Sequence, residues 1–234
     1  MHRSIEVWKI HLAVSTQCHQ RLLEYLSDAE RTIAGRFQLP VDRYRYELCH
    51  AAVREILAMR LNTTPIKLRF ETNMSGKPFL AGREAAVQFN LSHSHDLAVL
   101  AVTTAAAVGI DIEYCRPLPE WASLSRRVCT PGERALLASN GDAQTLFYHC
   151  WTGKEAVLKC LGVGLAYSPH AFEVLDEGAE LRSQVDLHRI ETQHKEVLAL
   201  QGLNNLPDGY LGALALQAIT DQELRIDWHD WRTD

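Results

Sequence analysis

The first part of the chain has the hydrophobic pattern of short strands and helices. Residues 6–13 (EVWKIHLA) partly alternate apolar and polar side chains, which predicts a strand. Short helices are predicted over QRLLEYL and over residues 27–37, where Ser27 can serve as an N-cap. After Pro40, apolar residues recur at three- and four-residue spacing. This spacing predicts a longer helix, with Arg45 near its N-terminal end.

The following segments predict more strands and then a second group of helices. KLRFET, VQFNLSH, LAVLAVTTA and VGIDIEY have strand character, and NMSGKP between the first two has the glycine and proline of a turn. Beyond Pro117, helices are predicted over WASLSRRV, over PGERALLASN and from about Ala143 to Leu161, where the glycines of LGVGL stop the last one. An antiparallel sheet is then predicted from four alternating segments, which are FEVL, EVLALQGL, GYLGALALQA and ELRIDW.

This order of elements predicts an α+β protein of two similar packed halves, each an antiparallel sheet with helices. We place the halves at residues 1–117 and 118–234. Because no Pro-, Ser- or Gly-rich linker separates them, we expect the active site in the cleft between them. With 234 residues, 47% of them hydrophobic and 23% charged, the chain can bury a sizeable core, which excludes disordered architectures.

Charge and cysteine usage narrow the function further. The net charge of −5 argues against a broad nucleic-acid surface, although the first 117 residues carry 14 Lys and Arg against 12 Asp and Glu. The longest charge-free apolar stretch is shorter than the roughly 20 residues of a membrane span, and the N-terminus lacks the apolar core of a signal peptide. We therefore expect a cytoplasmic protein that binds neither nucleic acid nor membrane. Six dispersed cysteines without a C-x-x-C pair indicate reduced thiols.

Two acidic residues share one face of a predicted strand. In VGIDIEY, the two-residue period places Gly109, Asp111 and Glu113 on one face and three apolar residues on the other. Adjacent carboxylates repel each other on a bare strand, whereas a Mg²⁺ ion would use both as oxygen ligands. The same pattern also fits a solvated sheet edge with two surface acids.

A helix supplies a second set of chemically useful residues. In FYHCWTGKEAVLKCLGVGL, Trp151, Glu155 and Lys159 lie four residues apart and share one helix face, while Lys154 points elsewhere. An exposed Glu–Lys pair at this spacing contributes only about 0.2–0.5 kcal/mol and is common on helices. The neighbouring Trp151 indicates instead that this face is covered.

Residues suited to phosphate binding lie at predicted strand ends and turns. Ser92 and His93 end the strand in FNLSHSHD, and SGKP offers Gly76 for close backbone approach and Lys77 as a point charge. Each of these is also ordinary turn chemistry. Arginines that could complete an anionic pocket, or face water, are Arg36, Arg43 and Arg45.

In their order and combination, these segments resemble the phosphopantetheinyl transferases of the broad-specificity, two-halved type. The matching segments are GKP at 76–78, FNLSHS at 89–94, VGIDIE at 108–113 and WTGKEAVLK at 151–159, with RF at 36–37 and D-x-x-R at 42–45 upstream. The most specific part is V-G-I-D together with W-x-x-K-E-A-x-x-K.

The resemblance implies Mg²⁺-dependent transfer of the 4′-phosphopantetheine arm of coenzyme A to a serine of an apo acyl or peptidyl carrier protein, releasing adenosine 3′,5′-bisphosphate. It implies that Asp111, Glu113 and Glu155 ligate Mg²⁺ and that Lys159 binds the phosphates. Carrier proteins of fatty-acid, polyketide and nonribosomal-peptide synthesis all offer this serine. We expect the enzyme to be a monomer that docks its carrier through a local apolar or basic patch.

The resemblance also implies roles for the remaining candidates. The residues expected on the phosphates and adenosine end of coenzyme A are Ser92, His93, Arg45 and Lys77, with Arg31 or Arg36 assisting. The acceptor of the serine proton stays open between Glu133, Glu155 and a metal-bound water.

Two other functions use the same residues. One is a metal-dependent pyrophosphohydrolase acting on a nucleotide or coenzyme A. The sequence lacks a second acidic cluster, which argues against this function. The other is a non-catalytic module that binds coenzyme A or a carrier protein. The non-catalytic module is disfavoured because binding alone does not need a metal site, whereas the chain has the complete set of Asp111, Glu113, Glu155 and Lys159.

Overall fold

The protein has an α+β fold built on two four-stranded sheets, which confirms the predicted fold class. The computed structural model describes residues 4–82, 86–164, 167–188, 195–217 and 224–232. The strands in this part of the chain are β1 (Ser4–His11), β2 (Phe70–Thr72), β3 (Pro78–Leu80), β4 (Gln88–Ser94), β5 (Leu97–Thr103), β6 (Val108–Tyr114), β7 (Gln184–His188), β8 (Lys195–Gly202), β9 (Tyr210–Leu216) and β10 (Arg225–Trp231). The α-helices are α1 (Thr16–Leu22), α2 (Asp28–Ala34), α3 (Pro40–Arg60), α4 (Trp121–Val128), α5 (Pro131–Ser139) and α6 (Ala143–Leu161).

Strands from both ends of the chain contribute to the first sheet. Its order is β10-β1-β5-β4, and the order of the second sheet is β6-β9-β8-β7, while β2 and β3 form a separate hairpin. β10 pairs parallel with β1, and the other pairs are antiparallel. The expectation that ELRIDW joins an antiparallel sheet of the second half is therefore wrong, because an alternating pattern does not specify the partner strand. The division at residue 117 stays a prediction, and strand pairing crosses it in both directions.

The predicted strand over FEVL is also wrong. Residues 172–175 form no strand, and Leu175 makes only an isolated bridge with Leu181. Phe172, Val174 and Leu175 are buried in the core. The backbone N–H of Val174 donates to the side chain of Glu133 (2.8 Å) and not to a neighbouring strand. The alternating apolar residues of FEVL are therefore buried in the core without pairing to a neighbouring strand. The short strands β3 and β7 were not predicted.

The helix boundaries follow local signals in the sequence. Ser27 caps α2 in a reciprocal capping box with Glu30, and Pro40 occupies the first turn of α3. α6 covers the predicted residues and ends at Gly162, whose φ of 65° is in the left-handed region that favours glycine. No helix in the described part of the chain is both long and apolar enough to cross a bilayer.

Three apolar clusters join these elements. α3 buries one face against the first sheet, and α6 buries one face against the second sheet. A third cluster contains residues from both sheets, among them Val7 and Val99 from the first and Ile110 and Leu214 from the second. The two sheets therefore share a core, and this core brings β4 beside β6.

Candidate active site

Polar side chains of β4 pair with the free backbone edge of β6. Residues 90, 92 and 94 share one face of β4 because side chains alternate along a strand. Their oxygens accept backbone N–H groups of β6: Ile110 donates to Asn90 (2.9 Å), Ile112 to Ser92 (3.3 Å) and Tyr114 to Ser94 (3.0 Å). Donors at this edge would otherwise lack partners, so the three bonds hold β4 and β6 in one register.

Asp111 on β6 has one paired oxygen and one unpaired oxygen. Its Oδ1 accepts from Ser92 Oγ (2.8 Å) and from Lys159 Nζ (2.6 Å). Its Oδ2 is the one buried side-chain oxygen or nitrogen without a partner among the residues that the structure describes. An unpaired buried carboxylate oxygen is costly and requires an explanation. Burial raises the pKa of Asp111, although the Lys159 ammonium opposes this.

Glu113 and Glu155 place two more carboxylates near Asp111. Glu113 Oε2 accepts from Ser94 Oγ (2.8 Å). Burial raises the pKa of Glu113, and the charge of Asp111 raises it further. Burial likewise raises the pKa of Glu155, followed by the charge of Asp111. Three half-buried or buried acids thus repel one another electrostatically, which a divalent cation would relieve.

Gly109 explains how α6 comes close enough to contribute Glu155 and Lys159. A Cβ at Gly109 would overlap the backbone of Ala156 and Cys160 in α6. As predicted, Asp111 and Glu113 share one face of β6, and the structure shows that this face meets α6, while the apolar residues of β6 point into the shared core. The glycine of V-G-I-D is therefore a packing requirement of the site.

The residues fit a cation, although their oxygens are not gathered around a single point. The one group of three His, Cys, Asp or Glu ligand atoms within 4.8 Å in the described residues is Cys129, Glu133 and Cys150. That group already contains the Lys154 ammonium, 2.7 Å from Glu133 Oε2, which disfavours a metal ion. The unpaired Oδ2 of Asp111 makes the acids beside α6 the better cation site.

Glu133 lies in the protein interior, where both of its carboxylate oxygens have partners. It is 1% exposed. Oε2 accepts the backbone N–H of Thr130 (2.8 Å) and faces Lys154 Nζ, and Oε1 accepts the N–H of Val174 (2.8 Å). Its burial and its bonds to the Lys154 ammonium and to two backbone N–H groups disfavour the predicted role in proton transfer, which stays a prediction. The spacing Thr130–Glu133 is a capping-box signal that the sequence contained.

The predicted phosphate-binding residues have different surroundings. Ser92 is buried and bonded to Asp111, and Lys77 donates its ammonium to the carbonyls of Val108 (2.9 Å) and Cys160 (3.2 Å). His93 is exposed. Its pKa is lowered by partial burial, then by the charges of Lys159 and Arg45, so three basic groups converge here.

The arginines predicted to bind phosphate each have a different setting. Arg45 pairs with Asp96 (3.0 Å), whose side chain is 59% exposed. Arg31 donates to the backbone carbonyl of Leu26 (3.1 Å), and Arg36 is exposed.

Two pockets flank the acidic residues. One, of about 360 Å³, is lined by Glu113 and Trp151 together with basic and aromatic side chains, which are Arg45, His95, Tyr114, Arg116, Phe147 and Tyr148, and by Ser94, Leu118 and Leu124. The other, of about 300 Å³, is lined by Glu155, Lys159, Lys77 and Asn90 among others. Glu113 and Glu155 therefore line different pockets.

Comparison with known proteins shows the family to which the chain is similar. Residues 13–105 match the family model described as 4′-phosphopantetheinyl transferase, N-terminal, and residues 107–215 match that of the 4′-phosphopantetheinyl transferase superfamily. The chain is 39% identical over 166 residues to the 4′-phosphopantetheinyl transferase HetI of a Nostoc species, covering 69% of this chain and 70% of the relative. It is 31% identical to the 4′-phosphopantetheinyl transferase Sfp of Bacillus subtilis, covering 69% and 71%.

A putative 4′-phosphopantetheinyl transferase of a Synechocystis species is 33% identical over 196 residues, covering 81% of this chain and 78% of the relative. The fold and these matches define an enzyme that transfers a phosphopantetheine group. The chain belongs to the 4′-phosphopantetheinyl transferase superfamily, whose members use coenzyme A and act on carrier proteins.

Proposed function

We propose that this enzyme transfers 4′-phosphopantetheine from coenzyme A to a carrier-protein serine in a Mg²⁺-dependent reaction that releases adenosine 3′,5′-bisphosphate. The observation that carries the proposal is the buried, unpaired Oδ2 of Asp111 beside two further acids. Asp111, Glu113 and Glu155 would hold the ion. A bound Mg²⁺ would neutralise the pyrophosphate as charge moves to the leaving group.

Lys159 is suited to bind the same pyrophosphate. Its side chain is 29% exposed, and its ammonium spans Asp111 Oδ1 (2.6 Å) and Ser92 Oγ (3.2 Å) at the border of the 300 Å³ pocket. An ammonium in this position can accompany the negative charge that grows on the leaving phosphate oxygen. In this proposal Ser92 orients Asp111 through a hydrogen bond, and the phosphate contact that the resemblance implied for Ser92 stays a prediction.

His93, Arg45 and Lys77 are the proposed contacts for the remaining phosphate and the adenosine end. The lowered pKa of His93 reflects, after its partial burial, the nearby cations Lys159 and Arg45, and an anion would be attracted to that positive charge. Lys77 keeps one of its three ammonium donors beyond the two carbonyl bonds.

The 360 Å³ pocket has the character needed for the pantetheine arm. It begins at Glu113 and is walled by Trp151, Phe147, Tyr148 and Leu124. Apolar walls with a few polar groups suit a flexible, mostly uncharged chain. An arm in this pocket would have its phosphate end near Glu113.

The proton of the carrier serine requires an acceptor near the acids. Glu155 is our candidate, because it lines a pocket and its carboxylate pKa is raised by burial and by Asp111. Glu133 is less suited to this role, because it is buried and bound to the Lys154 ammonium and to two backbone N–H groups.

The decisive experiment is incubation of the protein with coenzyme A, Mg²⁺ and a panel of apo-carrier proteins, followed by mass spectrometry. We expect a phosphopantetheine adduct on the carrier serine and stoichiometric adenosine 3′,5′-bisphosphate, both abolished by EDTA and restored by Mg²⁺. Bisphosphate released equally without a carrier protein would support the pyrophosphohydrolase. Binding of coenzyme A without any product would support the non-catalytic module.

A further inference from the structure

The Glu113 carboxylate is held at the site by a hydroxyl of β4 and by a hydrogen bond from the side chain of Trp151 on α6. Ser94 Oγ donates to Glu113 Oε2 (2.8 Å) and accepts the backbone N–H of Tyr114 (3.0 Å). The Tyr114 N–H occupies a lone pair of the hydroxyl, so the hydroxyl hydrogen is free to point at Glu113. Ser94 is therefore oriented by the backbone of the same strand that carries Glu113.

Glu113 needs such a restraint more than Asp111 does. A glutamate side chain has one more rotatable bond than an aspartate side chain, and Glu113 borders an open pocket. The negative charge of Asp111 raises the pKa of Glu113, which means that the two carboxylates repel each other. Asp111 is anchored by the Lys159 ammonium, whereas Glu113 receives no ion pair from the described residues.

We propose that Ser94 is a positioning residue that holds the Glu113 carboxylate beside Asp111 and thereby prepares the cation site. This inference rests on the proposed Mg²⁺ site and assigns a residue to its support. Without the hydroxyl, the Trp151 hydrogen bond would have to hold Glu113 against repulsion by Asp111, and Trp151 itself lines the 360 Å³ pocket into which Glu113 could turn. Partners of this kind orient ligating carboxylates, and losing one typically weakens metal binding about 10- to 100-fold.

The test compares three variants of the full chain. Ser94→Ala removes the hydroxyl, and Ser94→Thr keeps it on a β-branched residue that suits a strand. Ser139→Ala is the matched control, because Ser139 is exposed and its hydroxyl bonds only to the carbonyl of Leu136 in its own helix. Binding of Mn²⁺ is measured by electron paramagnetic resonance with coenzyme A present, and unfolding free energies are measured in urea.

We expect Ser94→Ala to weaken Mn²⁺ binding about 10-fold and to raise by a similar factor the Mg²⁺ concentration that gives half-maximal turnover. Turnover at saturating Mg²⁺ should recover most of the loss. Ser94→Thr should restore wild-type Mn²⁺ affinity, and Ser139→Ala should not change it.

Two results would overturn the inference. One is a Ser94→Ala protein that binds Mn²⁺ like the wild type while losing stability, which would make Ser94 a purely structural bond to Tyr114. The other is Ser94→Thr with affinity as low as Ser94→Ala at equal stability. If the wild type itself binds no Mn²⁺, the proposed cation site fails together with this inference, and that result differs from both.

Discussion

Helix α6 supplies the lysine of two carboxylate–lysine pairs that have the same chemistry and different roles. Lys154 lies 2.7 Å from Glu133, and Lys159 lies 2.6 Å from Asp111. Lys154 is 1% exposed and donates its remaining hydrogens to the carbonyls of Pro169 (2.7 Å) and Phe172 (2.6 Å). Every donor and acceptor of that pair has a partner.

The second pair is incomplete. Asp111 has the unpaired Oδ2, and the Lys159 side chain is partly exposed beside a pocket. Buried ion pairs stabilise a protein only when all their hydrogen-bonding groups are satisfied. The difference indicates that Glu133–Lys154 belongs to the core, whereas Asp111–Lys159 is arranged for a ligand. Substitutions in the two pairs should therefore affect different properties.

The largest effect is expected from Asp111→Ala or Glu155→Ala. Each removes a proposed ligand of a cation that contributes several kcal/mol to transition-state stabilisation, so transfer should fall by about 10³-fold or more. The fold should remain, because removal of Asp111 also removes a buried, incompletely bonded charge. Turnover is followed by mass spectrometry of the carrier protein and folding by circular dichroism. Ordinary turnover by either variant at usual Mg²⁺ concentrations would exclude the metal assignment.

Lys154→Ala should strongly lower the stability of the fold, whereas Asp111→Ala should strongly lower catalysis. The Lys154→Ala substitution leaves Glu133 buried without its counterion, which costs about 3–5 kcal/mol of unfolding free energy. The double variant Glu133→Gln/Lys154→Met should recover only part of this, because no charge is buried and Gln keeps the capping box, but the carbonyls of Pro169 and Phe172 lose their donor. Urea denaturation measures the unfolding free energy of the single and the double variant.

The same double variant tests Glu133 as proton acceptor. We expect its turnover per folded molecule to equal that of the wild type. A large loss of turnover in a stable double variant would return Glu133 to the reaction.

A third carboxylate extends the comparison to acid stability. Burial alone would raise the pKa of Glu30, but hydrogen bonds from His50, Ser27 and Arg54 outweigh burial and lower it from 4.5 to about 2. This lowered pKa stabilises the fold by about 3 kcal/mol above pH 4.5, and the contribution is lost as pH falls toward 2. Urea unfolding from about pH 6 to about pH 2 should therefore show a steeper loss for the wild type than for Glu30→Gln. If the unfolding free energies of the wild type and Glu30→Gln fell in parallel with pH, Glu30 would not have the lowered pKa.

Lys159→Ala should lower kcat about 100-fold, with a smaller change in KM and little change in stability. The reason is that its ammonium would stabilise charge that develops only in the transition state. Steady-state kinetics with coenzyme A as the varied substrate separate the two parameters. An effect confined to KM would make Lys159 a ground-state binder of phosphate.

The smallest effect is expected at the exposed end of the site. Arg45→Ala or His93→Ala should weaken coenzyme A binding by roughly 1.5–3 kcal/mol if either contacts the 3′-phosphate. The loss should nearly vanish with 3′-dephospho-coenzyme A, measured calorimetrically at fixed pH and salt. Equal losses with both ligands would show that the residue acts elsewhere.

Local periodicity was sufficient to group most of the candidate acids. A two-residue period predicted that Asp111 and Glu113 share a strand face, and a four-residue spacing predicted that Glu155 and Lys159 share a helix face away from Lys154. The same period along FNLSHS could have identified the polar stripe of Asn90, Ser92 and Ser94, but nothing local indicates that β4 borders β6. The roles of these residues in catalysis stay predictions.

The sequence by itself determined the α+β class, nearly all helix boundaries, the family and the acids with their lysine, because caps, turns and side-chain periods are properties of neighbouring residues. Only the tertiary structure decided which groups are paired. It placed β10 beside β1, directed the Lys77 ammonium to two backbone carbonyls, joined Glu133 to Lys154, and left Asp111 Oδ2 without a partner. Such pairings depend on which distant surfaces bury one another, and burial determines whether a carboxylate stabilises the core or remains available to a ligand.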